Sequence, residues 1–164
     1  MSRLIPFGLV QVLVLVACSS VPLEEQVLLQ PGEQGEAYSR ETMKVMTLNI
    51  AHGRKDGLNQ LLQSPETIRA NLEDIADVLS QLELDVVALQ EADATSAWSG
   101  RFDNVVMLAA DAGFPFYIRT SNANNWLSSF VTGLLSKTPF IDSLHHTFKP
   151  SPPTLNKGFT LGQI

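Results

Sequence analysis

The chain has 164 residues, a length typical of one domain, and its 45% hydrophobic content is that of a globular protein. Seventeen acidic residues outnumber 11 basic ones, and the net charge of −6 disfavours capture of a nucleic-acid backbone mainly by electrostatic attraction. This charge does not exclude a phosphate-handling site, because a bound cation reverses the local sign.

The first residues predict a secretion signal. Arg3 precedes the apolar stretch LIPFGLVQVLVLVA, which is too short for a spanning helix. The segment LVAC (15–18) resembles the lipobox of bacterial lipoproteins, whose signal is cut before a cysteine that becomes lipid-modified, and Ser19 resembles the residue that permits outer-membrane sorting. The alternative is an ordinary signal peptide followed by an incidental cysteine. We therefore expect a signal peptide at 1–17 and lipidation at Cys18, the single cysteine of the chain.

Residues 18–42 predict a tether between that anchor and the domain. Their Ser, Pro, Gly and Glu content buries too little apolar surface to offset the entropy of ordering. The expected location is the cell envelope, with the protein held at a membrane by its lipid, and the expected state is a monomer. The functional domain is then predicted to occupy residues 43–164.

The first half of this domain predicts a strand, a helix and a second strand. The strand MKVMTLNI (43–50) is followed by the glycine-containing loop AHGRKDG. Ser64 and Pro65 fit the N-cap and first position of a helix. The continuous apolar run DVVALQ (85–90) is typical of a strand covered on both faces. An apolar stripe at spacings of three and four indicates that the helix packs on a sheet: Ile68, Leu72, Ile75, Leu79 and Leu82.

The second half predicts a helix followed by several strands. The helix is expected from Arg101 to Ala112, with Phe102, Val105, Val106 and Ala109 on its inner face. The pieces FYIRT, FVTGLLSK, IDSLHHTF and GFTLGQI are strand-like, and the asparagines at 122, 124 and 125 are typical of a turn. Strand, helix and strand in succession favour an α/β fold with neighbouring parallel strands.

Polar residues end two of the predicted strands. Asn49 closes the first and Glu91 follows the second, so a parallel arrangement would bring both to the carboxyl edge of the sheet, where α/β proteins place ligands. A carboxylate suits a hard cation such as Mg²⁺, and an amide can both donate to and accept from a phosphate oxygen or a metal-bound water. The sequence therefore predicts a site at this edge.

Three segments together resemble the endonuclease/exonuclease/phosphatase superfamily of metal-dependent phosphoesterases. They are MKVMTLNIAHG, IADVLSQLELDVVALQEAD and TGLLSKTPF, and the resemblance covers roughly residues 43–164. It implies a two-sheet α/β sandwich, a supporting catalytic role for Asn49, and a catalytic, metal-ligating role for Glu91. It also implies Mg²⁺ or Mn²⁺ as cofactor and a phosphate ester as substrate: a nucleic acid, a phospholipid head group or a small molecule.

The later motifs of that superfamily do not follow. Its second half supplies a catalytic histidine, an Asp-x-Asn motif and an Asp-His pair, and this sequence contains no G-D-x-N and no S-D-H. We therefore expect an incomplete, N-terminal part of such a domain, which on its own has little activity. A noncatalytic surface lipoprotein that uses the fold as a binding module is the main alternative, and an unrelated α/β binding protein is a third.

Three further polar residues have two interpretations each. His52 could approach a substrate, although a solvated loop histidine is the commoner case. Gln90 could orient Glu91 or cap the sheet edge, and Asp93 could support the site from behind or belong to a turn. His145 and His146 are adjacent, so in a strand they face opposite sides and cannot both bind one metal from the same face.

Overall fold

The computed structural model describes residues 28–29, 41–57, 62–96, 99–124, 129–149 and 156–164. The predicted signal peptide, Cys18 and most of the predicted tether lie outside these residues, as does Asn125. The elements are β1 (Leu28–Leu29), β2 (Val45–Asn49), a 3₁₀ turn (Ala51–Gly53), α1 (Pro65–Gln81), β3 (Val86–Asp93), α2 (Asn104–Asp111), β4 (Phe116–Asn124), β5 (Ser129–Ser136), β6 (Asp142–Thr147) and β7 (Gly158–Gln163).

The strands form two sheets. Five of them form a mixed sheet in the order β1-β4-β5-β3-β2, and β6 and β7 form a separate antiparallel pair. In the larger sheet β2 runs parallel to β3, with Val45 opposite Val86 and Asn49 opposite Gln90, and the other pairs are antiparallel. The predicted α/β class, the two sheets and the parallel neighbours are therefore confirmed.

Both helices pack on one face of the large sheet and enclose the main core with it. The strands contribute Val87, Leu89, Ala92, Val131 and Leu135, and α1 contributes Ile68, Leu72, Ala76 and Leu79. On the other face of β3, Val86 and Ala88 are only half-buried. The prediction that both faces of this strand are covered is therefore fully met only on the face that the helices cover. In the described part of the chain, no helix has the length and apolarity needed to cross a membrane.

The helix α1 begins where the sequence predicts. Ser64 is the N-cap and its hydroxyl accepts a hydrogen bond from the backbone amide of Thr67 at 3.2 Å, with Pro65 as the first helical residue. Hydrogen bonds from its own backbone and then from Ser64 lower the pKa of Glu66 in the first turn. One part of the predicted stripe is wrong: Leu82 is the C-cap and is 41% exposed, because the helix has ended there.

Replacing the N-cap should destabilise this helix measurably. We expect Ser64→Ala to lower the free energy of unfolding by about 1 kcal/mol, since it leaves the amide of Thr67 without its acceptor. Ser64→Asp, which retains an acceptor and places a negative charge at the helix N-terminus, should stay close to the wild type. Urea unfolding followed by circular dichroism measures both, and equal loss in the two variants would contradict a capping role.

The helix α2 is shorter than predicted; Val105 and Ala109 are buried and Phe102 packs against the core as predicted, but one inner residue is wrong. It begins at Asn104 because the side chain of Asp103 accepts from the amides of Val105 and Val106, which makes Asp103, two residues after Arg101, the N-cap. Val106 is 38% exposed, so its predicted place on the inner face is wrong. Leu108, fully buried, occupies that face instead.

The β6–β7 pair covers the other face of the large sheet. The hydroxyls of Thr120, Thr132 and Thr160 form one hydrogen-bonded group that joins β4 and β5 to β7, with 2.7 Å between the oxygens of Thr132 and Thr160. His145 points inward and is bonded to the Phe159 carbonyl and the Thr147 hydroxyl, whereas His146 is exposed on the outer side. The two histidines face opposite sides, as predicted.

The asparagine segment after FYIRT is strand rather than turn. β4 continues through Asn124, and Asn122 is buried at 5% exposure, so the turn prediction for these two residues is wrong. The antiparallel partner β5 explains the difference: it pairs with β4 as far as Asn124 opposite Ser129, and this ladder outweighs the local turn preference of asparagine.

Candidate functional site at the end of strands β2 and β3

The parallel pair β2–β3 brings the predicted residues to one edge of the sheet. Asn49, the last residue of β2, lies opposite Gln90 of β3, and the amide of Ile50 continues the ladder by donating to the Gln90 carbonyl at 3.0 Å. Glu91 is the next residue of β3. The structure therefore brings the end of the first motif beside the end of the second, as the parallel arrangement predicts.

Glu91 is set apart by a β-bulge. The pairing of β3 with β5 shifts between Leu89 and Ala92, and Glu91 has φ of +50°, a conformation rare for residues with a side chain. In the regular part of β3 exposure alternates, but at the bulge Gln90 and Glu91 are both exposed. The bulge thus leaves the Glu91 side chain 49% exposed, although the next two residues of β3, Ala92 and Asp93, are buried.

The loop after β2 has a strained backbone that is held at both ends. Ala51, His52 and Gly53 have φ of +46°, +59° and +74° in succession. The side-chain oxygen of Asn49 accepts from the Ala51 amide at 2.8 Å, and the side-chain amide of Asn71 on α1 donates to the Gly53 carbonyl at 2.9 Å. Such conformations persist only where the surroundings hold them, and they are commonest at functional sites.

His52 is fixed between two carboxylates by this loop. Its Nδ1 lies 3.1 Å from Oδ1 of Asp93, which is completely buried, and its Nε2 lies 3.9 Å from Oε2 of Glu91. The ring also lies against that of Phe130, with centroids 5.0 Å apart and planes tilted by 60°. The His52 side chain is only 16% exposed, so the interpretation as a solvated loop histidine is wrong.

Asp93 and Gln90 also differ from their simplest interpretations. Asp93 is not a turn residue: it is the last residue of β3, paired with Phe130 of β5, and it approaches His52. The amide of Gln90 donates to the hydroxyl of Thr47 on β2, which ties the two parallel strands together at the edge. Glu91 and Asp93 are two residues apart in a strand, a spacing that places them on one side and could have suggested a shared partner.

The donor atoms fit part of a cation site. Among the described residues, no group of three His, Cys, Asp or Glu side chains is placed to hold a metal ion. The reason at this edge is that Asp93 and Glu91 approach opposite nitrogens of the His52 ring and do not converge on one point. The half-exposed carboxylate of Glu91 is nonetheless the kind of oxygen ligand that Mg²⁺ and Mn²⁺ take.

A groove of about 530 Å³ lies next to this edge, between β2 and α1. Met46, Leu48 and Ile75 form its apolar part, and Asn49 lies at the end nearer the site. Neither His52 nor Glu91 lines it, so the groove is separate from the cluster of polar residues.

The polar rim of the groove includes an ion pair between Lys55 and Asp74, whose atoms are 3.0 Å apart. The hydrogen bond that Lys55 donates to Asp74, and then the negative charge of Asp74, raise the pKa of Lys55. The pair is exposed to solvent on both sides and contributes little to stability.

A family model described as the C-terminal nuclease-like domain of PGAP2IP matches residues 62–155, more than half of the chain. The chain belongs to this family. Its membership supports a fold of the endonuclease/exonuclease/phosphatase type, and the matched range contains Glu91 and Asp93 while Asn49 and His52 precede it. No curated protein and no solved structure matches the chain.

Proposed function

We propose that the protein is a metal-dependent hydrolase of phosphate esters or phosphodiesters. The observation that supports this proposal is the parallel pairing of Asn49 with Gln90, the residue before Glu91, together with the half-exposed position of Glu91 on a bulge. Membership of a nuclease-like family supports it, since phosphate-ester chemistry at that edge of the sheet is what the resemblance implies.

Each residue has a distinct task in this proposal. Glu91 would hold a divalent cation, Mg²⁺ or Mn²⁺, which when bound polarises a phosphoryl oxygen and stabilises the leaving oxygen. Asn49 keeps the loop in place through its oxygen, and its amide N–H groups are suited to donate to a phosphate oxygen. Asp93 holds His52 from the buried side.

The described residues supply only part of such a site. With no group of three ligating side chains among them, we propose weak cation binding and little turnover by these 164 residues. The substrate stays open between a nucleic acid, a phospholipid head group and a small phosphate ester, and the net charge of −6 argues against a processive nuclease. Lipidation at Cys18, attachment to the cell envelope and a monomeric state stay predictions.

Cation binding tests the proposal directly. We expect Glu91→Gln to weaken Mn²⁺ binding at least about tenfold, because it removes the charged ligand, as measured by the loss of the free-ion signal in electron paramagnetic resonance. Glu73→Gln, which removes the same charge from the exposed face of α1, should leave the affinity unchanged.

Two outcomes separate the competing functions. Equal affinity in Glu91→Gln and wild type would remove the proposed site and favour a noncatalytic binding module. Conversely, Mg²⁺-dependent hydrolysis of a phosphodiester by the purified protein, lost in Glu91→Gln, would support the hydrolase and show that these residues suffice for turnover.

A further inference from the structure

The surroundings of His52 determine which of its nitrogens faces Glu91. A carboxylate has only acceptor atoms, so the 3.1 Å contact with the buried oxygen of Asp93 assigns the ring hydrogen to Nδ1. In a neutral imidazole the other nitrogen is then an acceptor, and this is the Nε2 that lies 3.9 Å from the Glu91 oxygen. In this neutral tautomer two acceptor atoms face each other at 3.9 Å, a gap too long for a hydrogen bond.

The ring has little freedom to leave this orientation. Asp93 is completely buried, and Phe130 packs against the ring. The backbone of His52 has φ of +59°, in a loop that is hydrogen-bonded to Asn49 at the end of β2 and to Asn71 on α1. Glu91, by contrast, is half-exposed and can adjust. A fixed nitrogen thus faces a movable carboxylate oxygen.

We infer that His52 and Glu91 form a two-residue binding site for a divalent transition-metal ion, with Asp93 orienting the imidazole. This inference rests on the proposed function, in which Glu91 binds the cation, and adds His52 as a second ligand. A buried carboxylate on the far nitrogen is the usual partner of a metal-ligating histidine, because it fixes the ring and makes the ligating nitrogen more basic.

The distance between the two atoms is compatible with a shared ion. With metal–ligand distances of about 2.1 Å, two neighbouring ligands of a tetrahedral ion stand about 3.4 Å apart. The 3.9 Å observed is close enough for the half-exposed Glu91 side chain to adjust. The remaining positions of the ion would be filled by water or by phosphate oxygens, as in catalytic sites with few protein ligands.

The ligand pair also determines which ions should bind. Imidazole suits Mn²⁺ less well than Zn²⁺ but better than it suits Mg²⁺, which prefers oxygen ligands and keeps its water. The site should therefore favour Zn²⁺ and Mn²⁺ over Mg²⁺. A site made by Glu91 alone would show a weaker preference of this kind.

Binding of Mn²⁺ to the purified 164-residue protein tests the inference. We expect His52→Gln to weaken binding at least about tenfold, whereas His146→Gln, a substitution of the exposed histidine on β6, should have no effect. Unchanged affinity in His52→Gln together with weakened affinity in Glu91→Gln overturns the inference and leaves the proposed function standing. Unchanged affinity in both variants overturns the two together.

A second measurement needs no substitution at the proposed site. The chain has three histidines, so ¹⁵N-labelled imidazoles of the wild type can be followed by nuclear magnetic resonance, with His146→Gln identifying one of them. Substoichiometric Mn²⁺ should broaden the His52 signals first and leave His145 sharp, because His145 lies in β6 with both nitrogens hydrogen-bonded. Equal broadening of all three histidines overturns the assignment of His52 as a ligand.

Discussion

Leu72→Ala is expected to lower the free energy of unfolding by about 3 kcal/mol. Leu72 is completely buried on α1 within the core shared by both helices and the large sheet. Truncating such a side chain loses its transfer free energy and leaves a cavity that a packed core fills only in part. The substitution should also loosen the loop that carries His52, because Leu72 packs against Gly53 in that loop. A Cβ added at Gly53 would lie 3.3 Å from Cγ of Leu72.

Chemical denaturation with urea measures this effect, and Val78→Ala provides the control. Val78 lies on the same helix but is 56% exposed, so its truncation should change the free energy of unfolding by less than about 0.5 kcal/mol. A loss of under about 1 kcal/mol in Leu72→Ala would show that α1 is not packed on the sheet as described.

Asp103→Ala is the second substitution with a large expected effect, a loss of about 2 to 4 kcal/mol. Asp103 has two roles: its Oδ1 accepts from the amides of Val105 and Val106 at 3.0 and 3.1 Å, and its Oδ2 accepts from Arg119 on β4. The Arg119 side chain is only 20% exposed, and burial lowers the pKa of its guanidinium. Without Asp103 that guanidinium, which stays charged, would lose its counter-ion in a poorly solvated place.

Asp103→Asn separates the two roles. Asparagine caps a helix about as well as aspartate, so this variant should keep the cap and lose only the charge that faces Arg119. We expect its stability to lie between those of the wild type and Asp103→Ala in thermal and urea unfolding. If Asp103→Asn is as stable as the wild type, the ion pair contributes nothing, and if it equals Asp103→Ala, the cap contributes nothing.

The site combines a rigid part and an adjustable part. His52 is held by a buried carboxylate, an aromatic ring and a strained loop, whereas Glu91 stands on a bulge with its carboxylate half-exposed. Strain of this kind is costly and is retained where the surroundings enforce it. Together with membership of a nuclease-like family, this strain is consistent with our proposal of ligand binding at this edge of the sheet.

Local patterns in the sequence were sufficient for the regular elements. The spacing of Ile68, Leu72 and Leu79 predicted α1, and Ser64 with Pro65 predicted where it begins, because capping and amphipathic packing act within one or two helical turns. The order strand, helix, strand predicted the parallel pair β2–β3, since a crossover helix brings the second strand alongside the first. The same order predicted that Asn49 and Glu91 lie at one edge of the sheet.

Other features depended on partners far away in the chain. The local sequence predicted a turn at Asn122 and Asn124, but backbone pairing with β5 makes both residues part of strand β4. His52 and Asp93, 41 residues apart, each had a simpler interpretation alone, and only the packing of the loop against β3 and Phe130 joins them. The sequence by itself therefore determined the class of fold and which sheet edge carries the candidate residues, because these follow from local periodicity and strand order. Only the tertiary structure decided the bulge at Glu91 and the orientation of His52. Both depend on contacts between segments that are far apart in the chain, and a local sequence pattern carries no information about such contacts.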